Sequence, residues 1–153
     1  MHNILTDKKK TIGKVLKLFI SQTDYPERIL KEKLYLDQGG VINDKFYEKD
    51  IDRSVLISSL KSYNIAKEHN ISIKYGALGE NILIDYNLKT LPIGSKLQIG
   101  EALLEISQNC TLCKSLTKVD KKLPKLLKED RGVFTRVIKS GFISQNDKIL
   151  FIS

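Results

Sequence analysis

Cys110 and Cys113 are the only cysteines of the 153-residue chain, spaced C-x-x-C in "EALLEISQNCTLCKSL". A thiol at the end of a strand can act as a nucleophile, a redox group or a soft-metal ligand. A closed zinc site needs about four ligands. The chain adds only His2 and His69, neither at motif spacing, so a zinc site would have to be shared between two copies. A strand, then C-x-x-C, then a helix start fits a dithiol redox site locally, but no βαβ unit surrounds it. Two buried small hydrophobes are a further reading. The polar neighbours Gln108, Asn109, Thr111 and Lys114 favour instead a thiolate that handles sulfur or binds a soft metal.

Three other segments carry candidate polar groups. "YGALGENILID" places Glu80 and Asn81 at the entrance of a strand, and "DQGGVINDK" offers Asp44 and Lys45 beyond a Gly-Gly turn. By spacing alone both are turns. Arg136 lies among apolar residues in "RGVFTRVIKSG", where it either buries its stem or aims its fork at a carboxylate or phosphate. Lys114, Lys118, Lys121 and Lys125 would share a helical face, read as solvated.

The elements that hold these groups are mostly short strands. "IGKVLKLFIS" predicts a strand over 12–20 and "RILKEKLYL" another, with Leu30, Glu32, Leu34 and Leu36 on one face. After "RSVLIS", Ser58 or Ser59 caps a helix reaching about His69. "NILIDY" is a strand, and Gly100-Glu101 closes a hairpin between Leu97/Ile99 and Leu103/Leu104. The stretch after Cys113 is helical in pieces, broken near Pro124 and closed by Gly132, and the chain ends in strands joined at Ser140-Gly141 and Gln145 to Asp147. Many short strands with modest helices predict a mainly β, α+β or β-barrel domain, not a doubly wound sheet.

Residues 1–153 read as a single domain with 41% hydrophobic and 29% charged residues, ordinary for a soluble protein. No apolar run approaches the roughly 20 residues that cross a bilayer. The start "MHNILTDKKKTIGKVLKLFIS" mimics a signal peptide, but Lys17 interrupts it and no small-residue cleavage site follows. A cytoplasmic, reducing compartment is therefore expected. The net charge of +8 reads as a field that draws an anionic small ligand rather than as a nucleic-acid interface.

The order of these segments carries more than any one of them. Gly39 to Asp44, "RSVLIS", "GALGENIL", "LPIGSKLQIGEALLEISQNCTLC" and "GVFTRVIKSGFI" in succession resemble the MOSC domain, the molybdenum cofactor sulfurase C-terminal family, over about residues 11–152. The resemblance implies a β-barrel-like fold of the pyruvate-kinase type. It also implies a cysteine that carries sulfur as a persulfide or ligates molybdenum in a bound molybdopterin. Single-cysteine members keep the second of the pair, so the reactive thiol falls on Cys113, with Cys110 auxiliary or resolving. Glu80 and Asn81 match the Gly-Glu-Asn element near the family's pocket, and Arg136 matches its Arg-Val step. Lys45 and Arg136 are expected to neutralise the pterin phosphate, and Lys114 or Arg136 to favour the thiolate. The sequence departs from the family at Phe46 or Tyr47, where histidine is common, which leaves Lys45 as the basic group. Asn146-Asp147 replaces the usual Gly-Asp turn. The resemblance points to a cysteine desulfurase or a molybdoenzyme as partner. The pyridoxal phosphate of cofactor sulfurases belongs to a separate domain, and no site for it is identifiable here. The expected function is a sulfur-carrier or sulfurtransferase-like module. A C-x-x-C redox or detoxification protein is the alternative, and a regulatory or nucleic-acid-binding module a third.

Overall fold

The computed structural model describes residues 8–111 and 114–153. Among the described residues, eleven strands and three short helices follow one another. The strands are β1 (Lys9–Ile20), β2 (Ile29–Lys31), β3 (Lys33–Asp37), β4 (Gly40–Val41), β5 (Val55–Ser59), β6 (Ile82–Ile84), β7 (Lys96–Ile99), β8 (Ala102–Asn109), β9 (Val133–Lys139), β10 (Gly141–Ser144) and β11 (Lys148–Ile152). The helices are α1 (Leu60–Glu68), α2 (Lys114–Val119) and α3 (Leu123–Leu126). Seven strands in the order β11-β7-β8-β9-β5-β6-β1 close on themselves through β1–β11, with β2 appended to β1. Closure removes the free sheet edges. Every pair is antiparallel except β5–β6, whose parallel register requires the crossover that α1 supplies. A second sheet, β10-β3-β4, packs beside the barrel. The mainly β expectation holds.

Alternation along the strands fills the barrel. Val15, Leu18, Ile57, Ile82, Leu104 and Ile149 meet inside it with other aliphatic residues. A second apolar cluster lies outside the barrel, where Tyr63 and Ala66 of α1 meet Leu116 of α2, Leu123 of α3 and Leu127. The outward lysines of this layer, Lys118, Lys121, Lys122 and Lys125, are exposed.

Local signals place several boundaries. Ser59 caps α1, its hydroxyl accepting from Lys61 N at 3.2 Å, and the helix ends at Glu68 with His69 as C-cap. Gly100 turns the β7–β8 hairpin with φ +56°, a conformation glycine adopts without a Cβ penalty. Pro124 sits in the first turn of α3, where its missing N–H costs nothing.

The stretch 29–36 is not the single strand expected. It breaks at Glu32, and its halves join different sheets. Leu30 is therefore exposed while Leu34 and Leu36 are buried, because the break shifts the alternation out of phase. Gln145 N donates to the Glu32 carbonyl at 3.0 Å and secures the crossing.

Candidate functional site

Gly79-Glu80-Asn81 runs into β6 at the outer wall of the barrel, and each of the three residues has a distinct task. Asn81 is buried and joins three segments: its Oδ1 accepts from Leu56 N at 3.2 Å, and its Nδ2 donates to the Phe19 carbonyl at 3.2 Å and to Asp44 Oδ1 at 3.4 Å. Asp44 in turn accepts from Ser21 N at 2.6 Å and Phe46 N at 3.1 Å. Glu80 is wholly buried. Its Oε2 accepts from Ser58 Oγ at 2.6 Å and from the Tyr63 hydroxyl, which itself accepts from Gly76 N at 2.9 Å. Burial, reinforced by the Glu80 carboxylate, pushes the Tyr63 phenol far above its ordinary value, so it remains a donor.

Gly79 takes φ +86°. Two guanidinium groups face the point where a Cβ would stand: Arg131 Nη2 at 3.8 Å and Arg28 Nη2 at 3.9 Å. Arg28 Nη1 donates to the Glu80 carbonyl at 3.1 Å. Burial lowers the Arg28 pKa, Asp44 and Glu80 oppose that shift, and Arg131 adds repulsion. Arg131 is only 5% exposed, and its Nε and Nη1 have no hydrogen-bond partner among the described residues. The carboxylates of Glu80 and Asp44 are engaged largely by neutral donors, which leaves guanidinium N–H groups over. Buried donors of that kind call for a partner, a water or an anion. Glu80 Oε1 is likewise unpartnered.

The cysteine segment adjoins this corner. Cys110 N donates to the Gly132 carbonyl at 2.9 Å, one residue beyond Arg131. The Cys110 side chain is 2% exposed and packs with Leu56 and Phe134, as a small hydrophobe does. Cys113 lies outside the described residues, as does the side chain of Lys114, which opens α2.

The other two basic candidates are not brought to Glu80. Arg136 pairs with Glu105 on the neighbouring strand and approaches Asp52 Oδ1 at 3.8 Å. Lys45 is exposed, its ammonium 5.0 Å from the Phe46 ring centroid. Sequence reasoning missed Arg28, Ser58, Tyr63 and Arg131. A basic residue immediately before Gly132, where a strand begins, was the available signal for Arg131. The residues at Gly79 thus fit an anionic group. Among the described residues no cluster of three or more His, Cys, Asp or Glu could hold a metal ion, and no helix is long and apolar enough to cross a membrane.

Similar folds occur in solved structures. The YuaD protein from Bacillus subtilis superposes with a TM-score of 0.83 at 21% identity, over 97% of this chain and 99% of that one. YiiM from Escherichia coli gives 0.73 at 20% identity, over 93% and 70%. YiiM from Geobacillus stearothermophilus gives 0.69 at 14%, over 95% and 76%. At these identities the likeness speaks to the fold alone. No curated protein sequence matches the chain. The MOSC domain model matches residues 32–150, nearly the whole of it. The chain therefore belongs to the MOSC domain family.

Proposed function

We propose that this MOSC domain binds a molybdopterin-type anionic ligand at the Gly79 corner and uses Cys113 as its reactive thiol, as a sulfur carrier or as a molybdenum ligand. The observation that carries the reading is Arg131, buried with two unpartnered N–H positions beside a second guanidinium. Arg28 and Arg131 would hold the phosphate or another anionic edge of the ligand, with Glu80 and Asn81 fixing the corner. A bound molybdenum pterin would supply the redox chemistry; the chain's own residues bind, orient and hold charge.

Cys113 follows Cys110 by three residues in the sequence, and the Cys110 N–H donates to the Gly132 carbonyl, next to Arg131 in the chain. Free cysteine titrates near about 8.5, and a nearby guanidinium favours the thiolate. In sulfur transfer the Cys113 thiolate attacks the outer sulfur of a donor persulfide. One S–S bond forms, another breaks, and the donor's thiolate leaves without net oxidation. The donor would be a cysteine desulfurase and the acceptor a molybdoenzyme or its cofactor. The exposed lysines of α2, α3 and the segment between them give a field that attracts anions to this side of the molecule. A Cys113→Ser protein should fold normally and lose persulfide transfer or ligand retention; undiminished activity would exclude the role.

A further inference from the structure

Arg131 faces a like charge, and part of its guanidinium is unpaired, so something other than its own side-chain contacts must hold it. Its flanks are pinned instead. On the near side, Lys89 Nζ meets Glu129 Oε2 at 2.6 Å, Ser62 of α1 donates to the Asp130 carbonyl, and Asn87 Nδ2 donates to Asp130 Oδ1 at 3.1 Å. On the far side, Cys110 N holds the Gly132 carbonyl. Asn87 uses both ends of its amide: Oδ1 accepts from Lys89 N at 3.2 Å and caps the 3-10 turn Leu88–Thr90, while Nδ2 reaches Asp130. Ser58, Asn87, Asp130 and Gly132 line one narrow cleft.

From this arrangement we infer that Asn87 is a positioning residue: its hydrogen bond to Asp130 holds the 129–132 segment so that Arg131 stays beside Arg28 and presents a paired-guanidinium anion site. The inference rests on the anion-binding reading above. Asn87 touches no ligand itself. It acts by fixing the backbone from which Arg131 projects, offsetting the repulsion between the two cations.

The test uses the full chain and inorganic phosphate, titrated calorimetrically at fixed low salt, with the thermal midpoint of every variant measured alongside. Asn87→Asp keeps the capping oxygen but sets a carboxylate against Asp130. It should weaken phosphate binding about tenfold, equivalent to about 1.4 kcal/mol. Asn87→Asp combined with Asp130→Asn exchanges donor and acceptor across the same gap and should recover most of that loss. Asn87→Ser keeps the cap without reaching Asp130, so it should also weaken binding and serves if the aspartate variant folds poorly. A role confined to stability would lower the midpoint and leave the phosphate affinity of the folded protein unchanged, which overturns the inference. So would a double variant no better than Asn87→Asp alone. If Arg131→Ala weakens binding and the Asn87 variants do not, the positioning fails and the anion reading stands. Absence of phosphate binding by the unaltered protein, or binding indifferent to Arg131→Ala, overturns both.

Discussion

Asn81→Ala removes the side chain that joins β1, β5 and the Asp44 turn. The amide makes three hydrogen bonds, and the substitution leaves Leu56 N and one acceptor position on the Phe19 carbonyl without it, in surroundings that water does not reach. Each buried backbone group left unpaired costs about 1–3 kcal/mol. The Asp44 contact is longer, and Asp44 keeps two backbone donors, so it adds little. The expected loss is therefore about 2–4 kcal/mol. With a urea slope of about 1–3 kcal/mol/M for a protein of this size, the unfolding midpoint should fall by about 1–2 M with the slope unchanged. Asn81→Asp preserves shape but turns a carboxylate oxygen toward the Phe19 carbonyl and Asp44, so at neutral pH it should be worse than alanine. That excess should shrink as pH falls through the carboxyl range, because protonation of the new group, its pKa raised by burial and by Asp44, restores a donor. A midpoint for Asn81→Ala within about 0.3 M of the unaltered protein, less than about 1 kcal/mol at that slope, would refute the reasoning and return Asn81 to the ligand.

Four further outcomes follow from the same geometry. Cys110→Ser places a hydroxyl beside Leu56 and Phe134 and should cost about 1–2 kcal/mol in urea unfolding, while persulfide formation assayed by thiol mass tagging survives. Gly132→Ala, at φ +132° with a Cβ that would stand 2.6 Å from the Ile57 carbonyl oxygen, should destabilise by at least about 2 kcal/mol and lower phosphate affinity; a neutral result would contradict the backbone description. Arg131→Met removes unpaired buried donors and a like-charge neighbour of Arg28, so the thermal midpoint should hold or rise while phosphate binding disappears. The Tyr47 phenol donates to both oxygens of Asp37 and is held up to about 12; a pH titration followed by ring-carbon NMR should show it ionising late, and Asp37→Asn should bring it down.

Short-range chemistry was legible in the sequence. Ser59 ahead of an apolar-periodic run, Gly100-Glu101 between two alternating segments and Pro124 at a helix start each act within a few residues. The Gly-Glu-Asn corner was legible as a place but not as a mechanism. Glu80 is 22 residues from Ser58, 17 from Tyr63 and 52 from Arg28, and only barrel closure brings these together. Arg28 in "YPERILK" and Arg131 in "KEDRG" each sit beside an acidic residue, which looks like a solvated pair until the fold turns both toward Gly79. Arg136 misled for the opposite reason: its apolar strand neighbours suggested a site, whereas Glu105 across the β8–β9 ladder takes its charge. The break at Glu32 was hidden because both halves of "RILKEKLYL" are good strand formers, and only the crossing into the second sheet separates them.

The most direct measurement of the central claim is a native mass spectrum, with molybdenum quantified on the same sample, of the protein isolated gently from its own cells. Anion binding at Gly79 with a reactive Cys113 predicts a molybdopterin-type ligand, or one extra sulfur on Cys113, present in the unaltered chain and lost in Arg131→Met. A bare polypeptide mass with both thiols free and no molybdenum, repeated across growth conditions that load molybdoenzymes, would contradict it.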